Sequence, residues 1–410
     1  MPPAPATITS VVMQPTPLCN LDCSYCYLPA RRSRQLMAPS VARAVATGIE
    51  IFNSLQNLQQ TEVIWHGGEP LTAGIQHFTH LMDCFPASSE HVIQTNATLI
   101  DRQWADLFEQ RNIHIGISID GDRAASAQRR DYAGREAFDR IVAGVEVLRD
   151  RGLSFDMIAV ISDPSPQRAE ELYAFSLSLG ASSLAINIEE REGVNIRNHH
   201  FTDHAIADFW TALWEAWKSD PKIPVREFER IRAYILTPGQ DSESPLTDPF
   251  PTVAWDGNVT LYSPELSGYS SPHYGGFSCG NVLKHPLHHI ILSGWRSSWV
   301  LDYARGVEEC RESCRLFDFC RGGHAANRYF EHGRLDSTET SYCRNSKILL
   351  MEAVGGSIRE FVEDWPSPPE QGASSQKFDN RPSWDNWGKK ATKFDNSPSW
   401  DNWNKKGKKK

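Results

Sequence analysis

The hydrophobic pattern over the first 190 or so residues switches repeatedly between two periods. Apolar, β-branched runs of strand length stand at 8–14, Glu62–His66, His91–Thr95, Ile113–Ile119, Phe155–Ile161 and Ser183–Ile188. Between them, apolar residues recur every three or four positions over 39–58, 75–84, 101–111, 135–151 and 166–179, the spacing of helices that bury one face. Asp101 is placed to cap the third helix, and Asp163-Pro-Ser-Pro166 to start the fifth. Six strand–helix units of this kind predict an α/β fold with a parallel sheet and right-handed crossovers.

Past residue 195 the pattern changes. A Trp-rich amphipathic helix over Asp203–Trp217, a second over 223–236 and a loop rich in Pro, Ser and Asp read as a bridge over 196–250. Asp256-Gly257 has the form of a β-hairpin turn and opens a cysteine-rich region over 251–345. A last helix, 346–364, leads into a Pro/Ser/Gly linker over 365–376. Residues 377–410 then carry a repeat of period 16, Lys377–Lys390 and Lys393–Lys406, identical at twelve of fourteen positions. The repeat is too short and polar to build a solenoid core, so a disordered tail is expected.

Composition narrows the class. The chain has 410 residues and 40% hydrophobic content, enough for two or three cores, and no apolar run of membrane-spanning length. Its start, Met-Pro-Pro-Ala-Pro-Ala, lacks the basic-then-apolar pattern of a secretory signal. Nine cysteines in metal-ligand spacings fit a reducing compartment, so a cytoplasmic location is expected. The net charge of −9 divides unevenly: ten Lys and Arg against four Asp give residues 377–410 a net +6, which leaves −15 on residues 1–376. An acidic body argues against a protein that tracks nucleic acid, and a basic tail can instead be drawn to an acidic groove of its own chain.

The chemistry lies in two cysteine groups. Cys19-x3-Cys23-x2-Cys26 lets one loop hold three irons of a four-iron cluster and leave the fourth open to a ligand. Gly67-Gly68-Glu69-Pro70 follows the second strand, 41 residues after Cys26, with Asn96 and Ser118 ending the third and fourth strands. Cys310-x3-Cys314-x5-Cys320, with Cys343 after a further 22 residues, supplies four thiolates, enough to saturate a second cluster, with zinc the alternative on spacing alone. His66, Cys84, His199, His200, His288 and His289 are in no ligand spacing and read as structural or surface residues.

The first spacing, the aromatic Tyr25 before its third cysteine and the Gly-Gly-Glu-Pro loop resemble the radical S-adenosylmethionine (radical SAM) superfamily. That resemblance implies an open six-unit (β/α) partial TIM barrel over 1–195 and a cluster on Cys19, Cys23 and Cys26 that binds SAM. Tyr25, Gly67, Gly68, Glu69, Pro70, Asn96 and Ser118 are then the SAM-binding residues. One-electron reduction of SAM would release a 5′-deoxyadenosyl radical, with a flavodoxin or ferredoxin as electron donor. The second group is similar to the SPASM extension of peptide-modifying members and implies an auxiliary cluster on Cys310, Cys314, Cys320 and Cys343. Where that extension carries ligands of a further cluster, this chain has Tyr262-Ser263 and Gly322-Gly323-His324, so two four-iron clusters are expected and Cys279 is left over.

Gly322 to Cys343 also looks like the cyclophane (triceptide) synthases, which join an aromatic ring to Cβ of a residue two positions on. The tail repeats an aromatic-Asp-Asn unit four times, at Phe378–Asn380, Trp384–Asn386, Phe394–Asn396 and Trp400–Asn402. The resemblance therefore implies a peptide cyclase whose substrate is its own tail or a separate precursor, with Phe378, Asn380, Trp384, Asn386, Phe394, Asn396, Trp400 and Asn402 as the cross-linked residues. No membrane or nucleic-acid partner is expected. A maturase forming formylglycine or thioethers is the alternative within the superfamily, although the tail has Ser and no Cys. A non-catalytic iron–sulfur protein with a basic nucleic-acid-binding arm is the alternative outside it.

Overall fold

The computed structural model describes residues 8–56, 61–197, 201–237 and 245–366. The aromatic-Asp-Asn motifs of the tail, and His199 and His200, lie outside the described residues. Six parallel strands appear as the pattern predicts: β1 Ser10–Met13, β2 Glu62–Trp65, β3 His91–Thr95, β4 His114–Ser118, β5 Asp156–Ile161 and β6 Leu184–Ile188. They lie side by side in chain order within one sheet. Nearly every strand residue is buried, as expected of a parallel sheet covered on both faces.

The covering helices are α1 Pro39–Gln56, α2 Ile75–Met82, α3 Arg102–Gln110, α4 Phe138–Asp150 and α5 Pro166–Leu179. Asp101 caps α3 by accepting from the Trp104 N–H at 3.0 Å. At α5 the cap is Ser165, one residue before Pro166 takes the first helical position. Trp65 of β2 meets Phe78 of α2 edge-on at 5.0 Å, and Phe78 meets Trp104 of α3 at 5.5 Å, which ties the sheet to its helices through rings.

The sheet continues beyond β1. Asp256-Gly257 turns a hairpin between β7 Thr252–Val253 and β8 Asn258–Thr260, with Gly257 at φ +85°, and β7 pairs in parallel with β1. Two short strands, β9 Ser270–Ser271 and β10 Gly275–Gly276, pair apart from the main sheet, and β11 Gly280–Asn281 joins its edge beside β8. The bridge helices are α6 Asp203–Ser219 and α7 Arg226–Leu236. The rings of Trp214 and Trp217 pack with Phe228, Phe361 and Trp365, so the two helices hold the end of the described chain.

Four helices carry or adjoin the second cysteine group: α9 Ser298–Ser313, after α8 Leu287–Ser293, then α10 Phe317–Cys320, α11 Ala325–His332 and α12 Ser341–Cys343. A π-helical turn over Arg344–Ile348 joins α12 to α13 Leu349–Phe361, and such turns occur at functional sites out of proportion to their number. Among the described residues no helix is long and apolar enough to cross a membrane.

Candidate active site

Local structure brings the Cys19–Cys26 loop to the C-terminal ends of the strands. Gly68 sits at φ +59°, and a Cβ there would lie 2.4 Å from the Leu18 carbonyl oxygen. Only glycine allows the Gly-Gly-Glu-Pro turn to approach the chain entering Cys19 so closely. Glu69 is fully buried and accepts from the N–H groups of Leu71 and Asn96 and from the Thr95 hydroxyl, so its carboxylate ties β2 to β3. Burial pushes its pKa up to about 7 against the pull of those three donors.

On the other side of the loop the Tyr25 hydroxyl donates to Asp120 at 2.6 Å, and Asp120 pairs bidentately with buried Arg129. Asn96 donates to Asn20 at 3.0 Å, and Ser118 accepts from Gln94 at 2.8 Å. Gly67 packs on Gln14, and Pro70 opens a short 3-10 turn. The three thiols therefore sit on a loop held from both flanks.

A cavity of about 220 Å³ opens from these thiols. Cys19, Cys23, Tyr25, Cys26, Gly68, Glu69, Asn96 and Ser118 line it, whereas Gly67 and Pro70 stand behind its wall. The sequence reads His66 as a structural or surface residue, and the structure places it half-buried on the cavity wall, with partial burial pulling its pKa down to about 4. Sequence reasoning missed Gln94, Thr95, Asn187 and Glu189, although their places at or just past strand C-termini were a usable signal. Glu190, Glu192, Glu265, Asn327 and Tyr342 come from distant segments that carried no local signal.

Part of the cavity lining is acidic. Glu189, Glu190, Glu192 and Glu265 belong to it, and the arginines nearby are already paired, Arg129 with Asp120 and Arg197 with Glu189 at 3.5 Å. Asn327 of α11 donates to Glu190, and Ser263 donates to Glu265 at 2.8 Å. The segment after β6 is locked to the thiol loop: the Val194 N–H donates to the Tyr27 carbonyl at 3.1 Å, and Arg197 donates to Ser24 at 2.8 Å.

The thiol donors fit iron. Burial raises the pKa of Cys19 well above the ordinary thiol range, with the Glu69 carboxylate adding to it, and raises Cys23 to about 12 and Cys26 as well. Thiolates at this depth need a bound cation, and three of them match a four-iron cluster with one open iron.

Cys310, Cys314, Cys320 and Cys343 come together around a second, much smaller pocket. Cys320 is held toward the thiolate, first by the Cys343 thiol and then by the field of Lys347. Four thiols match the ligand count of a four-iron cluster. His324 lines both pockets.

Residues 13–176 match the radical SAM superfamily. An uncharacterized protein of Synechocystis sp. is 31% identical over 369 residues, covering 86% of this chain and 92% of its own. The chain belongs to the radical SAM superfamily. SAM and a four-iron cluster accompany that fold, and Cys19, Cys23 and Cys26 are the thiols that would hold the cluster. This radical SAM protein is also 23% identical over 333 residues to a cysteine-type anaerobic sulfatase-maturating enzyme of Clostridium perfringens, covering 74% of this chain and 85% of that one. Its fold is similar to that of anSMEcpe solved with AdoMet and the Cp18Cys peptide bound, at a TM-score of 0.69 and 20% identity over 87% of this chain and 99% of the other.

Proposed function

We propose that this radical SAM protein modifies a peptide, and that the reaction joins the ring of Phe or Trp to Cβ of Asn in aromatic-Asp-Asn motifs, with residues 377–410 as substrate. The observation that carries the peptide reading is the acidic lining of Glu189, Glu190, Glu192 and Glu265 in the cavity that opens from the cysteine loop. Its charge is opposite to the net +6 of the segment that repeats the motif. When bound, SAM on the reduced cluster supplies the 5′-deoxyadenosyl radical that takes a hydrogen atom from Asn Cβ.

The chain's own residues do the rest. Glu69 and the Tyr25–Asp120–Arg129 chain fix the loop that presents SAM. Asn96 and Ser118 line the same cavity and would bind the polar groups of SAM, and Glu265 or Glu190 takes the proton that leaves the ring once the new carbon–carbon bond has formed. The electron released with that proton is of the kind the four thiols around Cys310 would take up through a second cluster, with His324 between the two pockets.

Mass spectrometry of residues 377–410 after incubation with SAM and a reductant tests the reading. Each closed ring removes two hydrogens, so the segment is expected to lose about 2 Da per motif and up to about 8 Da in all. Changing Asn380, Asn386, Asn396 and Asn402 together to Ala should abolish the loss. A second reading draws on the sulfatase-maturating relative: conversion of a Cys or Ser side chain in another protein. An unmodified tail together with aldehyde formation on a Cys- or Ser-containing peptide would establish that reading in place of the first.

A further inference from the structure

Arg328 of α11 is 1% exposed, and among the described residues no carboxylate pairs with it. Its Nη1 donates to the carbonyls of Leu335 at 3.2 Å and Tyr303 at 3.4 Å. Its Nη2 donates to the Gly322 carbonyl at 2.5 Å and to the Cys310 sulfur at 3.3 Å, and the guanidinium lies 5.3 Å from the centre of the Tyr303 ring. The place is built for it: a Cβ on Gly306 would lie 2.0 Å from Nη1, so α9 carries glycine where the guanidinium enters.

A permanently charged guanidinium buried among carbonyls and one sulfur is costly unless a negative charge lies close by. The group able to carry that charge is the set of four thiols, with Cys310 in direct contact. Lys347, 6% exposed, brings a second cation whose field reaches Cys320. Two buried cations beside four thiols describe a pocket shaped around an anion.

We propose that Arg328 is the buried counter-ion of an iron–sulfur cluster held by Cys310, Cys314, Cys320 and Cys343, and that it raises the reduction potential of that cluster. A four-thiolate cluster is anionic when oxidised and gains one further negative charge when it accepts an electron. A fixed cation with a hydrogen bond to a ligand sulfur therefore favours the reduced state more than the oxidised one. The effect suits a centre that receives an electron. It rests on reading the four thiols as cluster ligands and is independent of which peptide is modified.

The test uses the full chain with Cys19, Cys23 and Cys26 changed to Ala, so that one cluster remains, and a potentiometric titration followed by electron paramagnetic resonance. The parent should take up about four iron; a parent that takes up none overturns the proposal. Arg328→Gln keeps hydrogen-bonding groups without the charge and should shift the midpoint to lower potential, whereas Arg328→Lys should stay near the parent. Equal shifts in the two variants, or none in Arg328→Gln, would mean that packing rather than charge matters and would overturn the assignment. Should Arg328→Gln fail to fold by circular dichroism, Gly306→Ala, which displaces the guanidinium and leaves the charge in the chain, is expected to lower the potential. An unchanged potential there overturns the proposal equally.

Discussion

The two cysteine pockets of this chain make opposite use of similar ligands. Cys19, Cys23 and Cys26 sit on a loop that gains its shape from outside: a glycine turn on one flank, the Tyr25–Asp120–Arg129 chain on the other. They face a cavity of about 220 Å³ whose lining is rich in glutamate. Cys310, Cys320 and Cys343 instead sit on helices, with Cys314 just past the end of α9, and they close on a small pocket flanked by buried cations. Three ligands with an opening suit chemistry on a bound molecule, and four ligands with none suit passage of electrons. The surroundings carry that distinction as clearly as the ligand count does.

The sharpest way to separate the pockets is to empty one. Changing Cys19, Cys23 and Cys26 together to Ala is expected to abolish 5′-deoxyadenosine formation, measured by chromatography, while the visible absorbance of the second centre persists. Retained SAM cleavage would end the assignment of chemistry to the loop. Changing Cys310, Cys314, Cys320 and Cys343 should do the reverse, leaving SAM cleavage but no modified peptide.

Metal content distinguishes the pockets by number: about eight iron per reconstituted chain, four to each. About twelve would bring Cys279 and His324 into a third cluster.

A smaller effect tests how the loop is held. Glu69→Ala removes an acceptor from three buried donors, at a cost of about 2–4 kcal/mol of stability, and should weaken SAM binding while leaving the second cluster intact. Calorimetry of folding and of SAM binding would read the two losses separately, and equal damage to both clusters would show that the loop is not an independent part.

A last prediction concerns a site belonging to neither pocket. Asp156, at the start of β5, is buried with the Ser183 hydroxyl as its donor, and burial pushes its pKa up to about 7. Below about pH 4 the folded and unfolded chains are both protonated there, so the group costs nothing. As pH rises toward 7 the unfolded chain ionises first, and folding stability falls by about 4 kcal/mol at most. Asp156→Asn should flatten that decline in denaturant titrations at a series of pH values without altering iron content.

Much of the barrel half was legible because its signals are local. Alternating periods located all six parallel strands and their helices, and Asp101 announced its cap. The cysteine half was less so. Helices α8, α9 and α11 went unread, since their short or mixed apolar faces pack on partners that the local pattern does not reveal, as when Leu287 meets Gly48 of α1. Part of the acidic lining was missed for a related reason: Glu192 and Glu265 are ordinary charged residues until the fold sets them on one cavity. Ligand spacing, the criterion applied to His66, says nothing of whether a residue lines a cavity, which His66 does.

The hydrogen bonds from Val12 of β1 and from Gln14, just past its end, to the carbonyls of Pro251 and Val253 bear on how the chain is made. By the time the ribosome has released the first 200 residues, every strand from β1 to β6 exists, yet one edge of β1 still lacks its neighbour. That edge is apolar and continuous with the segment entering the Cys19 loop, and an uncovered strand edge invites pairing with other chains. The hairpin at Asp256-Gly257 is thus also a late-arriving seal, and a message truncated before it would leave a nascent barrel prone to aggregate before iron could be delivered.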